Sequence, residues 1–502
     1  MELNINYIIN SLGSLLPEVA VTLALVLIVI VDLIMGKNKS LLPYISIAGI
    51  LVAGYFVIDQ FGMNGFALAV DGGKGMIVVD SFGAFFKTII VFTSIVVVLF
   101  SLSSKEIIEN SDRHGEYYTL IFGMILGMFF MVSATDFILL YLAIELLSLS
   151  SYVLAGFAKN TMRNAEASLK YIIYGGVSSG IMLFGISIIF GITGSTNLYE
   201  INSLMQAPQF QGLVGLLAGI LIFVGIGFKI SAAPFHFWTP DVYEGAPITI
   251  TAYLSIASKA AGFALLIRFI KITFIDSINL QGYWTLVNVI DWQSFLILIS
   301  ILTMTLGNFA ALWQNNLKRM LAYSSIAHAG YLLLGLAVLS NQGIIAILIY
   351  FAVYAFMNLG AFFIVMLIAN KIGSEDMDDY DGLGFTSPLI GVSLTIFLVS
   401  LTGLPPTAGF IGKLYIFFAL VDANMIVVAL IALANSVVSL YYYIRVVKHM
   451  YLTRPNSQTV AVVPNIANTV LLMVLLLPIV ILGLYFSPLV ELAKTSVALF
   501  GF

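Results

Sequence analysis

Five lysines stand inside long apolar segments of this sequence, where a charged side chain is costly. They are Lys87, Lys170, Lys229, Lys259 and Lys413. A lysine at the centre of a membrane helix costs about 2.5 to 3.5 kcal/mol, so each needs a partner, water or a neutral state. Glu145 is the acid predicted to lie deepest, and its pairing with a lysine would favour the charged forms of both. Proton transfer through these residues is therefore the predicted chemistry.

Polar residues accompany the charged ones at helical spacing, which places them on shared helix faces. The faces are Glu145, Ser148 and Tyr152; Lys170, Tyr174 and Ser178; Thr251, Ser255, Lys259 and Gly262; and Ser324, Ser325, His328 and Tyr331. Such stripes are also typical of hydrogen bonds between packed membrane helices, the commoner role of Ser and Thr. Snorkelling, in which the stem of a lysine carries its ammonium to the headgroups, is an equal alternative for Lys87.

Two histidines lie in or beside these segments, and histidine titrates near neutral pH. His236 and His328 are therefore predicted to relay protons between lysines. A hydrogen-bonding strut is the alternative role for each.

Prolines predict that two of the segments are broken helices. Lys229 stands five residues before Pro234, and Lys413 stands seven residues after Pro406, which follows Pro405. A proline inside a helix frees a backbone carbonyl, which is tolerated in a membrane where the freed group lines a hydrated cavity. Paired interrupted helices at matching places in two halves are typical of a transport site, although a simple kink is the alternative for either one alone.

The elements that must position these residues are membrane spans. Of the 502 residues, 61% are apolar and only 9% are charged, and apolar runs of about twenty residues recur along the chain. Fourteen spans are predicted. They lie near 15–35, 41–61, 80–102, 116–133, 136–158, 165–193, 211–234, 247–272, 292–313, 320–340, 343–370, 387–421, 424–452 and 466–487.

The loop charges predict the orientation of these spans. With the N-terminus outside, twelve basic residues fall in cytoplasmic loops or helix ends: Lys37, Lys39, Lys105, Arg113, Lys159, Arg163, Lys318, Arg319, Lys371, Arg445, Lys448 and Arg454. Four fall outside: Lys74, Arg268, Lys271 and Lys494. This asymmetry follows the positive-inside rule, so both termini are predicted to be periplasmic.

A short internal similarity predicts how the spans are grouped. The pentapeptides at 267–271 (IRFIK) and 444–448 (IRVVK) each close a span, five spans apart. Five-helix units of opposite orientation would produce this spacing, although chance similarity between helix ends is the alternative. The predicted organisation is three N-terminal helices in 1–115, repeats in 116–272 and 292–452, and a C-terminal helix in 453–502.

Cysteine is absent, which excludes Cys-ligated clusters and disulfides within this chain. The nearest phosphate-loop lookalike, at 408–413, lacks the first glycine and is followed by Leu414 where Ser or Thr belongs. No cofactor or metal site is therefore predicted here, and any redox chemistry is expected in another chain.

Three segments resemble a known family. They are Tyr-Leu-Ala-Ile-Glu-Leu-Leu-Ser at 141–148, Lys-Ile-Ser-Ala-Ala-Pro-Phe-His-Phe-Trp at 229–238, and Leu-Lys-Arg-Met-Leu-Ala-Tyr-Ser-Ser-Ile-Ala-His at 317–328. With fourteen spans, they resemble the antiporter-like subunits of respiratory complex I and of multisubunit cation/proton antiporters. The segment around Lys413 resembles the N-type members. The implied fold is an all-α polytopic membrane protein with about fourteen transmembrane helices and two inverted five-helix repeats, each containing a broken helix.

The resemblance also implies roles for the site residues. Glu145 and Lys229 would form an ion pair, Lys259 would be the central relay and Lys413 the exit lysine. His236 and His328 would bridge them. Lys170 matches a lysine that family members carry on the sixth span, whereas Lys87 matches no family role.

The implied activity is proton translocation in a bacterial inner membrane as part of a translocating NADH:quinone oxidoreductase. NADH, FMN, iron–sulfur clusters and quinone are then expected in partner subunits. The expected partners are other antiporter-like and small membrane subunits and the lipid bilayer, without nucleic acid. A subunit of a sodium/proton antiporter is the first alternative, and a non-pumping scaffold is the second.

Overall fold

A computed structural model describes residues 11–36, 39–69, 74–158, 162–205, 213–287, 290–453 and 461–499. Of the basic residues used to predict the orientation, Lys37, Lys159 and Arg454 lie outside this part. Within it, twelve continuous helices are long and apolar enough to cross a membrane. The two predicted broken spans are both interrupted helices, and a bent pair, Met377–Thr386 with Pro388–Thr402, would count as a thirteenth span. The predicted fold class, an all-α polytopic membrane protein, is confirmed.

The helices are numbered here by span. They are α1 Leu16–Met35, α2 Leu42–Asp59, α3 Ser81–Ser101, α4 His114–Ser133, α5 Phe137–Ala155, α6 Met162–Thr193, α7a Leu213–Ile230, α7b Trp238–Gly245, α8 Ile248–Phe274, α9 Trp292–Ala311, α10 Leu317–Ala337, α11 Asn341–Ile372, α12a Pro388–Thr402, α12b Ala408–Asp422, α13 Ile426–Leu452 and α14 Ile466–Leu484. A final short helix, α15, covers Ser487–Thr495. Short helical turns lie between the spans at Lys105–Ile108, Ser111–Arg113, Leu198–Met205, Met377–Tyr380 and Leu383–Thr386.

Capping side chains fix where several spans begin. Asp80 accepts a hydrogen bond from the backbone N–H of Gly83, and Asp136 caps α5 in the same way. Asn316 caps α10, and Ser340 caps α11. Each cap satisfies a backbone donor that would otherwise be unpaired at the helix start.

The prolines lie in the gaps of the two interrupted spans. The α7 helix stops at Ile230 and resumes at Trp238, with Pro234 between. The α12 helix stops at Thr402 and resumes at Ala408, with Pro405 and Pro406 between. In each gap one residue with positive φ turns the chain, namely Ser231 at 62° and Gly403 at 87°.

Corresponding helices of the two predicted repeats pack in corresponding ways. Helix α4 packs on α5 as α9 packs on α10, and both halves of α7 pack on α6 as both halves of α12 pack on α11. The closing helices α8 and α13 contact the opening helices α4 and α9. This correspondence agrees with a five-helix repeat, while the predicted boundaries 1–115, 116–272, 292–452 and 453–502 stay a prediction.

Two short antiparallel hairpins depart from a purely helical chain. Gly65–Ala67 pairs with Ile77–Val79, and Ile275–Ile278 pairs with Trp284–Leu286. Each lies in a loop between spans, where strands of three or four residues give too little pattern to predict from sequence. Helices α8, α10 and α11 form the centre of the molecule and are nearly all buried, whereas α1, α13 and α14 turn broad apolar faces outward.

Candidate functional site

Lys229 lies at the end of α7a and is buried. Its Nζ donates to Ser148 Oγ of α5 at 3.1 Å, and it lies 6.0 Å from the centre of the Tyr171 ring. The interrupted helix holds it there, because Ser231 takes a left-handed conformation two residues later and ends α7a. The lysine therefore meets a neutral hydroxyl and an aromatic face.

The expected direct ion pair between Glu145 and Lys229 is not formed, although the structure describes both residues. Glu145 is half-buried, and its Oε1 is buried without a hydrogen-bond partner in the described part of the chain. Ser148 stands one helical turn before the end of the predicted face and one turn after Glu145 on α5. Lys229 therefore bonds a hydroxyl of α5 and not the carboxylate of the same helix.

Side-chain hydrogen bonds stabilise the interrupted segment of α7. The indole N–H of Trp238 donates to the carbonyl of Phe228 at 3.0 Å, so a carbonyl near the break has a partner. The Trp238 ring also stacks on Tyr171 at 4.4 Å between centroids. The N–H of Ala233 donates to Thr303 Oγ1 of α9 at 2.9 Å, which joins the break to the second repeat.

His236 lies inside this gap. It is 7% exposed, its Nδ1 has no hydrogen-bond partner among the described residues, and its ring stacks on Phe237. The two predicted roles of His236, relay and hydrogen-bonding strut, both stay predictions.

Lys259 follows an irregular turn within α8. Residues Leu254–Ser258 form a π-helical turn between two α-helical segments, a feature frequently found at functional sites. Lys259 is 1% exposed, and its Nζ donates to Ser325 Oγ at 2.7 Å and to the Ser325 carbonyl at 2.8 Å. The central lysine of the first repeat is thereby joined to α10 of the second.

The polar face predicted on α10 is present and carries a tyrosine network. His328 Nδ1 is bonded to Tyr350 Oη at 2.6 Å, and its Nε2 to Tyr443 Oη at 3.3 Å. Tyr443 Oη is also bonded to Ser324 Oγ. The sequence pattern did not indicate Tyr350 or Tyr443, and the only available signal was a phenol within an apolar span.

Lys413 lies on α12b beside the second break. Its Nζ donates to the carbonyl of Thr402 at 2.8 Å and to Ser436 Oγ at 3.2 Å. Thr402 is the last residue of α12a, so a carbonyl at the break accepts the ammonium, as expected for a group freed at a break. Ser436 donates to Tyr331 Oη at 3.1 Å, and Lys413 lies 4.6 Å from the centre of that ring.

Lys170 belongs to a different set of charges. Its side chain is 36% exposed, and it pairs with Glu166 at 2.7 Å and with Asp241 at 2.5 Å. Asp241 also pairs with Arg319 at 2.7 Å. This surface cluster ties α6 and α10 to α7b, and the structure does not bring Lys170 together with the buried lysines.

Lys87 does not snorkel. It is 1% exposed, and its Nζ lies 2.6 Å from Glu18 Oε1 and 3.1 Å from Gln60 Oε1. Arg268 and Lys271 lie near the end of α8, as expected, and both are buried. Their predicted position on the outer side stays a prediction. Arg268 forms two hydrogen bonds with Asp80, which the sequence could not reveal because the partners are 188 residues apart.

The described residues contain no group of three or more His, Asp or Glu side chains that could hold a metal ion. The buried groups instead form three clusters: Lys229 with Ser148; Lys259 with Ser325 beside the His328 network; and Lys413 with Ser436 and Tyr331. Helix α10 belongs to the second and third of them. The arrangement is suited to moving protons between buried bases.

The fold and these buried bases define a multi-span ion translocator of the antiporter-like class. A family model for the NADH:quinone oxidoreductase/Mrp antiporter membrane region matches residues 134–439. The chain is 46% identical to NADH-quinone oxidoreductase subunit N 2 of Chloroherpeton thalassium, over 97% of this chain and 95% of that protein. The chain belongs to this family, which confirms the resemblance predicted from the sequence.

Solved structures give the same fold. A chain of respiratory complex I from Thermus thermophilus aligns with a TM-score of 0.78 and 29% identity, covering 95% of this chain and 99% of that one. A chain of the Mrp complex from Dietzia sp. aligns with a TM-score of 0.80 at 20% identity over 96% of both chains. The similarity to the Mrp complex chain is evidence for the fold alone.

Proposed function

We propose that this chain is the proton-translocating N-type subunit of a bacterial NADH:quinone oxidoreductase. The observation that supports this most strongly is the surroundings of Lys229, Lys259 and Lys413. Within the described part of the chain, each of these buried ammonium groups donates to hydroxyls or carbonyls, with no carboxylate within 4.0 Å. A buried charge with neutral partners is costly, so these lysines are suited to gaining and losing protons.

In this proposal, movement of the Glu145 charge toward and away from Lys229 controls whether that lysine holds its proton. When Glu145 closes on Lys229 the ammonium is stabilised, and when it withdraws the lysine releases its proton. Against an assumed gradient of about 200 mV, each proton moved needs roughly 4.6 kcal/mol, at about 2.3 kcal/mol per 100 mV. One opposite charge about 4 Å away is worth about 4 kcal/mol at an effective dielectric constant of 20, which is a comparable amount.

The proton path we propose runs through Glu145, Lys229, His236, Lys259, His328 and Lys413. The helix breaks at Pro234, Pro405 and Pro406 interrupt the helical hydrogen bonding of the backbone beside Lys229 and Lys413, the first and last lysines of this path. Lys170 would act at the edge of this path, because its ion pairs hold α7b against α6. Tyr350 and Tyr443 join the path as hydroxyl carriers on either side of His328.

The chemistry that drives the path belongs to partner chains. NADH oxidation through FMN and iron–sulfur clusters and the reduction of quinone would take place in other subunits. Other antiporter-like and small membrane subunits would lie beside this chain in the inner membrane. The chain itself would contribute the buried bases and no redox group.

Purification tests the proposal directly. The complex is solubilised through a tag on this chain and measured for NADH:quinone oxidoreductase activity and, after reconstitution, for proton uptake into vesicles. We expect both activities, and proton pumping that persists without sodium. Absence of redox subunits and activity would contradict the assignment, and sodium-dependent exchange without NADH would support the antiporter instead.

The proposed orientation has a separate test, because the chain has no cysteine. Gln281 and Asp378 are exposed on opposite predicted sides. In intact cells, a membrane-impermeant thiol reagent should label the Gln281→Cys variant and should label Asp378→Cys only after permeabilisation. The reverse labelling would place the termini in the cytoplasm.

A further inference from the structure

Four buried polar residues recur at every seventh position along α3. Asp80 caps the helix, and Lys87, Ser94 and Ser101 follow, each no more than 1% exposed. Seven residues make nearly two helical turns, so the four lie along one stripe. Successive members are about 10 Å apart along the axis, which is too far for direct proton transfer. The stripe is therefore suited to holding helices in place.

Two members of the stripe fix α3 to helices that carry no pathway lysine. Lys87 pairs with Glu18 of α1 and also donates a hydrogen bond to Gln60, at the end of α2. Ser101 Oγ is bonded to Tyr118 Oη of α4 at 2.8 Å. These contacts join α3 to the other N-terminal helices and to α4, and none of them involves the helix that carries Lys259.

The other two members hold α8 on both sides of Lys259. Ser94 Oγ is bonded at 2.6 Å to the hydroxyl of Tyr253, the residue directly before the π-helical turn. On the other side of the lysine, Asp80 accepts hydrogen bonds from Arg268 at 2.9 and 2.5 Å. Between these two contacts, α3 packs along all three segments of α8.

We propose that Asp80 and Ser94 are positioning residues for Lys259. A π-helical turn interrupts the regular hydrogen bonding of a helix, so the segment that carries the lysine needs support from outside. With α8 fixed on both sides of that turn, the ammonium reaches both acceptors of Ser325. The role rests on the proposed function of Lys259 as a proton carrier, and it gives the N-terminal helices a part in pumping.

Two serines of α3 offer a matched test. Ser94 and Ser101 are equally buried and each is bonded to a tyrosine hydroxyl, but only Ser94 reaches the helix of Lys259. In the assembled complex in vesicles, Ser94→Ala and Tyr253→Phe should lower the number of protons pumped per NADH oxidised. Ser101→Ala and Tyr118→Phe should leave that number unchanged, and Ser94→Thr, which keeps a hydroxyl, should restore it. Equal pumping by Ser94→Ala and Ser101→Ala would overturn the proposal.

The ion pair offers a second test that does not depend on the serines. Asp80→Asn alone leaves Arg268 buried without its counter-charge, which is expected to harm assembly. Adding Arg268→Gln removes that charge, so the double variant should assemble and oxidise NADH but pump fewer protons. A double variant with the wild-type number of protons per NADH would show that the pair serves stability alone.

Lys259→Met in the same vesicles separates the proposed function of Lys259 from the positioning role of Asp80 and Ser94. Normal pumping by Lys259→Met would overturn the proposed function of that lysine, and the positioning role with it. Loss of pumping in Lys259→Met together with normal pumping in Ser94→Ala, Tyr253→Phe and the double variant would overturn the positioning role alone.

Discussion

Lys87 in the N-terminal region and three buried lysines in the repeats have different partners. On α3, Lys87 lies 2.6 Å from the Glu18 carboxylate, and the Asp80 carboxylate bonds Arg268. In the repeats, Lys229, Lys259 and Lys413 donate to serine hydroxyls and backbone carbonyls. A carboxylate partner keeps a buried cation charged, whereas neutral partners leave its charge costly. If the proposed path is right, burial alone does not distinguish its lysines from Lys87, and the neutral partners do.

The largest expected effect comes from giving a repeat lysine a carboxylate. Ser325→Asp would place a negative charge beside Lys259, where Ser325 Oγ now lies 2.7 Å from its Nζ. Since such a pair is worth about 4 kcal/mol at an effective dielectric constant of 20, the proton should be retained and pumping nearly abolished. The measurement is proton uptake by vesicles during NADH oxidation. Ser325→Asn, neutral and similar in size, is the control and should pump far better. Equal pumping by the two variants would contradict the idea that a carboxylate partner makes Lys259 retain its proton.

The second prediction removes a carboxylate from the N-terminal region. Glu18→Gln leaves Lys87 buried without its counter-charge, which costs about 3 to 5 kcal/mol for a buried pair. The amount of assembled complex, measured by native gel electrophoresis, should fall. Combining Glu18→Gln with Lys87→Met should restore assembly. Poor assembly of the double variant, despite two neutral side chains, would contradict a role limited to charge pairing.

The third prediction shifts a repeat lysine without changing its chemistry. Gly403 has φ of 87°, and a Cβ there would lie 2.7 Å from Lys413 Cδ. Gly403→Ala should therefore displace Lys413 and reduce protons pumped per NADH by an intermediate amount. Gly373→Ala is the matched control, since its φ is 82° and nothing lies within 4 Å of the added carbon. A loss of the same size in both variants would assign it to backbone strain rather than to Lys413.

The smallest expected effect concerns one hydroxyl of the network. Tyr443→Phe removes the hydrogen bonds of Tyr443 to His328 and Ser324, each worth about 1 kcal/mol, so pumping should slow several-fold at most. Tyr442→Phe removes a bond to Asn308 instead and should have less effect. The initial rates of proton uptake compare the two variants. A slower Tyr442→Phe variant would place the functional hydroxyl outside the His328 network.

Much of the fold and the positions of the buried bases could be predicted from the sequence, because apolar runs, prolines and isolated lysines are local signals. The α10 face with Ser325 and His328 was readable from helical spacing alone. The partners of the buried cations could not be predicted from the sequence. Glu18 and Lys87, for example, are 69 residues apart and lie on different helices. The burial of Arg268 was missed for the same reason, since a basic residue near a helix end looks exposed until the helix packing is known.

The lack of direct contact between Glu145 and Lys229 also could not be predicted from the sequence. One deep carboxylate among several lysines predicts an ion pair, and the family resemblance implied Lys229 as the partner. Whether the two residues touch depends on the spacing of α5 and α7a. Here Ser148 Oγ takes the place beside Lys229 Nζ at 3.1 Å. The distance between two helices is a property of their packing, which a single sequence does not contain.

The central claim is that Lys229, Lys259 and Lys413, which are buried with neutral partners, carry protons, and that Lys87, which is buried with a carboxylate partner, does not. One comparison tests it directly: protons pumped per NADH oxidised by Lys259→Met and by the double variant Glu18→Gln with Lys87→Met, both as assembled complexes in vesicles. The claim predicts a large loss in Lys259→Met and wild-type pumping in the double variant. Wild-type pumping in Lys259→Met, or an equal loss in both, would contradict it.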